Sequence, residues 1–284
     1  MHFAPSTIGR SAAGRALGYA ILGAWSLFTV FLVSWIVLAS LKRTRELFSD
    51  PWGLPANALW SNYAKTWVNS HFGAYFVNSL LVVSISVLLL VLVCVPAAYV
   101  LARAHFRGRE TLTNFFVLGL GVPIPLLFVP LVVIMGSLRL GDSLSGLSLV
   151  YVALSIPFTI YVLLGFFRSM PGEFAWAARL DGCSDWQTFR HVMMPLAMPG
   201  IATVSALNFV GLWNEYQLSL LLLNSPENRT LSLGIYTLIS SMQYSGGDWA
   251  GLFAGVTMVM LPTLILFIGM SERMISGITM GGMK

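Results

Sequence analysis

The sequence predicts an all-α membrane protein with about six transmembrane helices, and three observations predict it. Of 284 residues, 57% are hydrophobic and only 10% charged, against about 25% charged in an ordinary soluble domain. Mean hydropathy is +0.79. The apolar residues also fall in runs that match the roughly 20 helical residues needed to cross a bilayer. None of these runs alternates apolar and polar residues as a barrel strand would, so helix is the spanning structure.

Six segments qualify, at 18–40, 76–102, 112–138, 147–167, 200–223 and 249–270, within a single membrane domain covering 1–284. The first follows Arg10 and Arg15 as a signal peptide would. It is longer than the usual apolar core of roughly 7–15 residues, so it reads as a retained span. Net charge is +5, but the basic residues lie in short loops, where they report orientation and not affinity for nucleic acid. With the N-terminus inside, Arg10, Arg15, Arg103, Arg107, Arg109, Arg168, Arg179, Arg190, Arg273 and Lys284 are cytoplasmic. Lys42, Arg43, Arg45, Lys65, Arg139 and Arg229 are then external. Ten against six favours both termini in the cytoplasm, although Lys42, Arg43 and Arg45 run against the rule. Cys94 falls in a span and Cys183 in a cytoplasmic loop, so both are expected as free thiols.

Two loops are long. The outer one, 41–75, carries Trp52, Trp60, Tyr63 and Trp67, which suit either an interfacial aromatic belt or a docking surface for an external partner. The inner one, 168–199, reads as two short helices joined by a turn. Pro171 suits a first helical turn, 173–180 favours helix, and Asp181-Gly182 breaks it. Ser184 and Gln187 have the spacing of a capping box. Pro195 and Pro199 are expected to end the second helix before the fifth span. Ala175, Ala177 and Ala178 would let the first helix approach another surface closely, with Leu180, Trp186, Phe189, Val192 and Met193 as its apolar anchor. Without a partner, the same pattern would be an amphipathic interfacial helix.

In the fifth span Asn208, Gly211 and Glu215 share one helix face. Ionisable groups within spans usually face the bundle interior or a watery cavity. Two readings stand: a site or gate for a hydroxyl-rich solute, formed by Asn208, Trp213, Asn214 and Glu215, or a carboxylate paired with a neighbouring helix. Pro96, Pro123, Pro125, Pro130, Pro157 and Pro262 lie inside spans, and Gly251 and Gly255 form a close-packing G-x-x-x-G. His2, His71, His105 and His191 lack metal-ligand spacing, so no metal is expected. No phosphate loop is present, since Gly9 to Gly14 is followed by Arg15 and Ala16. H-E-x-x-H is missing, and Gly141 to Ser145 fails the nucleophile pattern. No catalytic residue is assigned.

The inner loop resembles the EAA loop of ABC importer permeases. Ala177-Ala178 precede Gly182, followed by Phe189 and Met194-Pro195-Leu196, and 177–182 fits the sugar-transporting branch closely. Asn62-Tyr63, Asn78-Ser79, Ala97-Ala98-Tyr99 with Arg103, and Phe106-Arg107-Gly108 agree in order. So do Ile156-Pro157-Phe158, Trp213-Asn214, Thr230-Leu231 and the ending from Ser276-Gly277 through Gly281. The whole chain is similar to the second, shorter permease subunit of maltose-type importers. One departure is Trp176, where the family usually has Glu; Glu173 lies one turn away.

The resemblance implies a type I importer permease in a bacterial inner membrane, passing an oligosaccharide or related polyol. It implies a coupling surface of Glu173, Trp176, Ala177, Ala178, Asp181, Gly182, Trp186, Phe189 and Pro195, seated in a cleft of an ATPase. It also implies a homologous second permease, two ATPase subunits carrying the ATP and Mg, and an extracytoplasmic substrate-binding protein. No cofactor is expected on this chain. Similar permeases move polyamines, glycerol phosphates or iron; one acidic residue in six spans argues against the first, and missing intramembrane Arg or Lys against the second. A self-sufficient secondary transporter would rest on Glu215 alone. An intramembrane enzyme would need a catalytic pair that the spans lack.

Overall fold

Lipid offers a backbone no hydrogen-bond partners, so a segment crossing it must pair its own N–H and C=O groups, which a helix does. The computed structural model describes residues 12–245 and 247–282, and among these all regular structure is helical. Arg10 and Lys284 of the orientation argument lie outside the described residues, as does the side chain of Arg273. Long helices α1 (Ala12–Ser40), α4 (Phe72–Arg103), α7 (Leu144–Ser169) and α13 (Trp249–Gly282) are continuous. Between the first two lie the short α2 (Thr44–Ser49) and α3 (Ser61–Asn69). Among the described residues, five helices are long and apolar enough to cross a membrane, and a bent pair brings the number up to six if it counts as one span.

That bent pair replaces the single third span expected at 112–138. Helix α5 (Arg109–Gly119) and the 124–137 segment meet at 96°. Beyond the bend come a 3-10 turn, Ile124–Leu127, and α6 (Phe128–Ser137). The cause is local. Pro123 and Pro125 each lack an N–H, so the i→i−4 ladder cannot pass through them. Gly119 and Gly121 flank the gap, and Gly119 sits so close to Pro157 that a Cβ would fall 3.1 Å from the ring.

The coupling segment differs in the opposite sense. Helix α8 (Glu173–Leu180) is followed by α9 (Asp185–Gln187), but Pro195 and Pro199 do not end the second helix. It runs on through a π turn, Thr188–Met193, into α10 (Met194–Trp213). A π turn widens the helix by one residue, which relieves the clash between a proline ring and the carbonyl four residues earlier. The fifth apolar run then stops short: α10 ends at Trp213, and α11 (Gln217–Leu222) starts after a break. A further helix, α12 (Leu231–Ser245), precedes α13 and was not anticipated.

The core is centred on α4, α7 and α10. Leu90, Cys94, Ala98 and Leu101 pack with Ile160, Leu163, Phe167, Ala197, Ile201 and Val204. Small residues set the approach distances: a Cβ on Gly200 would fall 2.5 Å from the Phe166 ring. In the last helix, a Cβ on Gly255 would fall 2.7 Å from Phe72, and the Gly251 carbonyl accepts from Thr66 Oγ1 at 3.3 Å. The G-x-x-x-G pair thus seats α13 against α3 and the start of α4.

Polar groups tie the loops at the end opposite the coupling segment. Asn62 Nδ2 donates to the carbonyls of Ser40 and Lys42 at 2.8 and 2.9 Å. Lys42 is itself buried, its Nζ donating to the Asp50 carbonyl at 2.7 Å. Asp142 accepts from the Asn224 and Ser225 amides at 2.8 and 3.0 Å and from the Ser225 hydroxyl at 2.5 Å. The Ser225 hydroxyl and amide, then the Asn224 amide and the Asn228 side chain, hold the Asp142 carboxyl down to about 2, burial opposing them. A depressed carboxylate contributes stability that is complete above its ordinary value, 3.8, and lost as pH falls through about 2. Pepsin cleavage within 221–231, followed in detergent, is therefore expected to be slow near pH 4 and to accelerate toward about pH 2. Asp142→Asn should be cut rapidly at both; equal protection in that variant would show that the carboxylate does not hold the loop.

Candidate functional site

The coupling segment is built from two well-defined caps. Helix α8 ends in a Schellman arrangement: the Cys183 amide donates to the Ala178 carbonyl and the Gly182 amide to the Arg179 carbonyl, at 3.0 and 3.1 Å. Gly182 supplies the left-handed residue this needs, with φ +83°. Ser184 then caps α9 reciprocally with Gln187, through bonds of 3.3 and 2.8 Å. An exposed Arg179–Asp185 ion pair of 2.9 Å bridges the turn.

These caps fix which side chains face outward. Ala178, Phe189 and Met193 are buried against the bundle. Glu173, Ala177, Asp181, Gly182 and Pro195 are exposed. Phe174, Trp176 and Trp186 are exposed by 46%, 67% and 61%, and Leu180 by 89%. Leu180 and Trp186 are therefore part of an outward apolar surface. The reason is register: the anchoring face of α8 is the one bearing Ala178, and Leu180 lies two residues off it. Trp176 belongs to this outward surface, so the departure from the usual Glu enlarges its apolar area.

The second feature is a cavity of about 300 Å³ between α7 and α10, next to both helix breaks. Asn208, Gly211 and Glu215 line it from one side, and Tyr151, Ser155 and Phe158 from the other. Asn208 Nδ2 donates to Thr159 Oγ1 and to the Val204 carbonyl, at 2.9 and 3.0 Å. Glu215 is committed to the chain itself. Its oxygens accept from Tyr151 Oη and the Leu218 amide at 2.7 Å each, and from the Ser219 amide at 3.3 Å. The carboxylate thus caps the first turn of α11, where amides lack intrahelical partners.

Of the four pathway residues read from the sequence, two reach the cavity and two do not. Trp213 is 1% exposed; its Nε1 donates to the Val259 carbonyl at 3.0 Å and its ring stacks on Phe209. Asn214 is exposed and donates back to the Val210 carbonyl at 2.8 Å. The cavity's aromatics are instead Tyr151 and Phe158. These share a readable spacing: Tyr151, Ser155 and Phe158 recur at helical intervals on one face, although Thr159, Tyr161, Phe166 and Phe167 in the same span blur the signal.

Glu215→Gln keeps one acceptor and loses one, and Tyr151→Phe removes the hydroxyl it binds. Each is expected to lower stability by about 1–2 kcal/mol. The double variant should fall short of their sum by roughly 1 kcal/mol, because both break one interaction. Thermal unfolding in detergent reads this directly, and strict additivity would dissolve the pairing.

Residues 94–273 match the family model described as binding-protein-dependent transport system inner membrane component. The diacetylchitobiose uptake system permease protein NgcG of Streptomyces coelicolor is 36% identical over 94% of this chain and 88% of that protein. The trehalose transport system permease protein SugB of Mycobacterium tuberculosis is 30% identical over 96% and 99% of the two chains. In fold, the chain is similar to one in a crystal structure of a bacterial ABC transporter that imports the acidic polysaccharide alginate. That match has a TM-score of 0.79 and 22% identity, covering 96% of this chain and 99% of that one. With the family model covering more than half of its length, this multi-pass chain belongs to the inner membrane components of binding-protein-dependent transport systems.

Proposed function

We propose that the chain is one of two permease subunits of an ATP-driven importer and forms half of the pathway for an oligosaccharide or related polyol. The observation that carries this is the rigid helix–turn–helix that ends α7 and begins α10. It holds Phe174, Trp176, Leu180 and Trp186 in the open, and an exposed apolar patch of this kind marks a protein contact. The partner is an ATPase subunit, one for each permease, carrying the ATP and Mg that a chain without a phosphate loop does not bind. The coupling end then lies in the cytoplasm with both termini, and the opposite end receives solute from a substrate-binding protein.

The cargo reading rests on the cavity and the relatives together. The NgcG and SugB proteins are named for diacetylchitobiose and trehalose. No Lys or Arg lines the cavity, which favours a neutral solute over a phosphate ester. Its one carboxylate is consumed by three donors within the chain, which disfavours a polyamine. Phe158 offers an exposed ring face, and Ser155 and Asn208 offer polar groups, a mixture suited to a sugar ring. ATP-driven closure of the ATPase pair would press on α8, and rocking of the attached helices would switch access to the cavity.

Mild-detergent isolation of the chain from its own membrane is expected to recover an ATPase and a second permease. Recovery of the intact, folded chain alone would overturn the proposal. Within that complex, Gly182→Val forces a β-branched residue into the left-handed region, which costs more than the roughly 1–2 kcal/mol of an ordinary L-residue. Uptake of labelled disaccharide should then be abolished with membrane insertion intact. Normal uptake by this variant would remove α8 from the coupling role.

A further inference from the structure

Helix α4 is remote in sequence from the coupling segment, yet it grips both of its legs. On the incoming leg, Arg103 in the last turn of α4 donates Nη2 to the carbonyl of Met170, the residue that caps α7. On both legs, the Tyr99 ring lies 5.5 Å from Phe167 on α7 and 4.9 Å from Phe189 in the π turn. Phe189 in turn lies 5.4 Å from Trp186 on the outward surface. A push on Trp186 therefore reaches α4 through two ring contacts without travelling along the backbone of α7 or α10.

At the far end, the same helix holds the outer segment that leads into α12. Asn78 Nδ2 donates to the carbonyls of Glu227 and Arg229, at 2.7 and 3.0 Å. Ser79 Oγ accepts from the Leu231 amide at 2.8 Å. Twenty-five residues separate Asn78 from Arg103, which at 1.5 Å rise is about 37 Å of helix. Between the two ends, α4 is buried along one side against α7 and α10 by Leu90, Cys94, Ala98 and Leu101. Close-packed interiors of this kind have low compressibility and transmit strain.

From these contacts we propose that α4 is a strut linking the ATPase-facing and solute-receiving ends, with Tyr99 and Arg103 as positioning residues at one end and Asn78 at the other. The inference rests on the transport reading above, and adds a route by which the two ends report on each other. Coupling of this kind is reciprocal, so a change at either end of the strut should be felt at the other.

The test uses the assembled complex, with ATP and vanadate as the probe that traps the ATPases closed, and reads amide hydrogen exchange in 224–233. Trapping is expected to change exchange there in the unaltered complex. Arg103→Gln should reduce that change about threefold, within the range known for residues along a coupling network. Asn78→Ala should reduce it similarly from the other end, while Arg103→Lys, which keeps a donor for the Met170 carbonyl, should retain most of it. Because Arg103→Gln removes a partly buried group, Asn78→Ala decides the matter if that variant does not assemble. An undiminished response in assembled Asn78→Ala complex, or in assembled Arg103→Gln complex, would overturn the strut. Absence of any ATPase in the unaltered preparation would instead overturn the transport reading.

Discussion

The constraint on which this structure depends is that no water is at hand to satisfy polar groups inside the apolar layer, so each irregular stretch must find its partners in the protein. An unbroken helix meets that demand by itself. Among the described residues this chain interrupts or distorts its helices at three places, and each has its own solution. After α10, the Trp213 carbonyl accepts from Ser232 Oγ at 2.7 Å, and Glu215 satisfies the first amides of α11. At the 119–124 bend, successive i→i−3 bonds, such as Leu120 to Val117 and Gly121 to Leu118, replace the helical ladder. Before Pro195, the π turn carries the chain past a residue with no N–H to give.

These solutions explain where the cavity lies. Ile124, from the first break, and Glu215, from the second, meet across it with Tyr151 and Ser155 of the continuous α7. Non-helical backbone at membrane depth is tolerated only where protein buries it or a cavity lines it. Two breaks placed side by side therefore leave a space that continuous helices would have closed. The same logic assigns Glu215: a carboxylate near the middle of the apolar sequence stands in for two missing backbone acceptors and also holds the Tyr151 hydroxyl, and the cavity's hydroxyl-binding capacity falls to its neighbours.

How much of this was legible follows the range of the interactions involved. The helical fold, the two caps of the coupling segment and the Gly182 turn depend on residues within one or two turns, and the pattern Glu173 to Gln187 spells them out. The bend at 119–124 had a local signal in Gly119, Gly121, Pro123 and Pro125, but hydropathy alone reads straight through it. Positions set by distant partners were not legible. Trp213 looks like a sugar platform beside Asn214 and Glu215, and only its bond to the Val259 carbonyl, 46 residues away, shows it to be core. Lys42 was counted as an external charge opposing the orientation rule; that its ammonium is a buried peg holding the carbonyl of Asp50 was not readable. The pairing of Asn78-Ser79 with the 227–231 segment spans about 150 residues of sequence, beyond any periodicity.

The two ends of the bundle are held by different physics, and the difference suits a machine that must move at one end and register at the other. At the outer end, Asp142, Asn78, Asn62 and Lys42 make directional hydrogen bonds to backbone groups of distant loops. Such bonds weaken steeply with angle, so these loops move as a unit with the helices that carry them or not at all. At the coupling end, Tyr99, Phe167, Phe189 and Trp186 meet as tilted and edge-on rings at 4.9 to 5.5 Å. Ring contacts of this kind have several arrangements of similar energy, and packed helices accommodate small shear displacements by exchanging one for another. A push delivered to the outward face of α8 would therefore pass to α4 through the Trp186–Phe189–Tyr99 ring contacts with small re-packing at each, and the outer loops bound to the far end of α4 would receive it as displacement of the whole element.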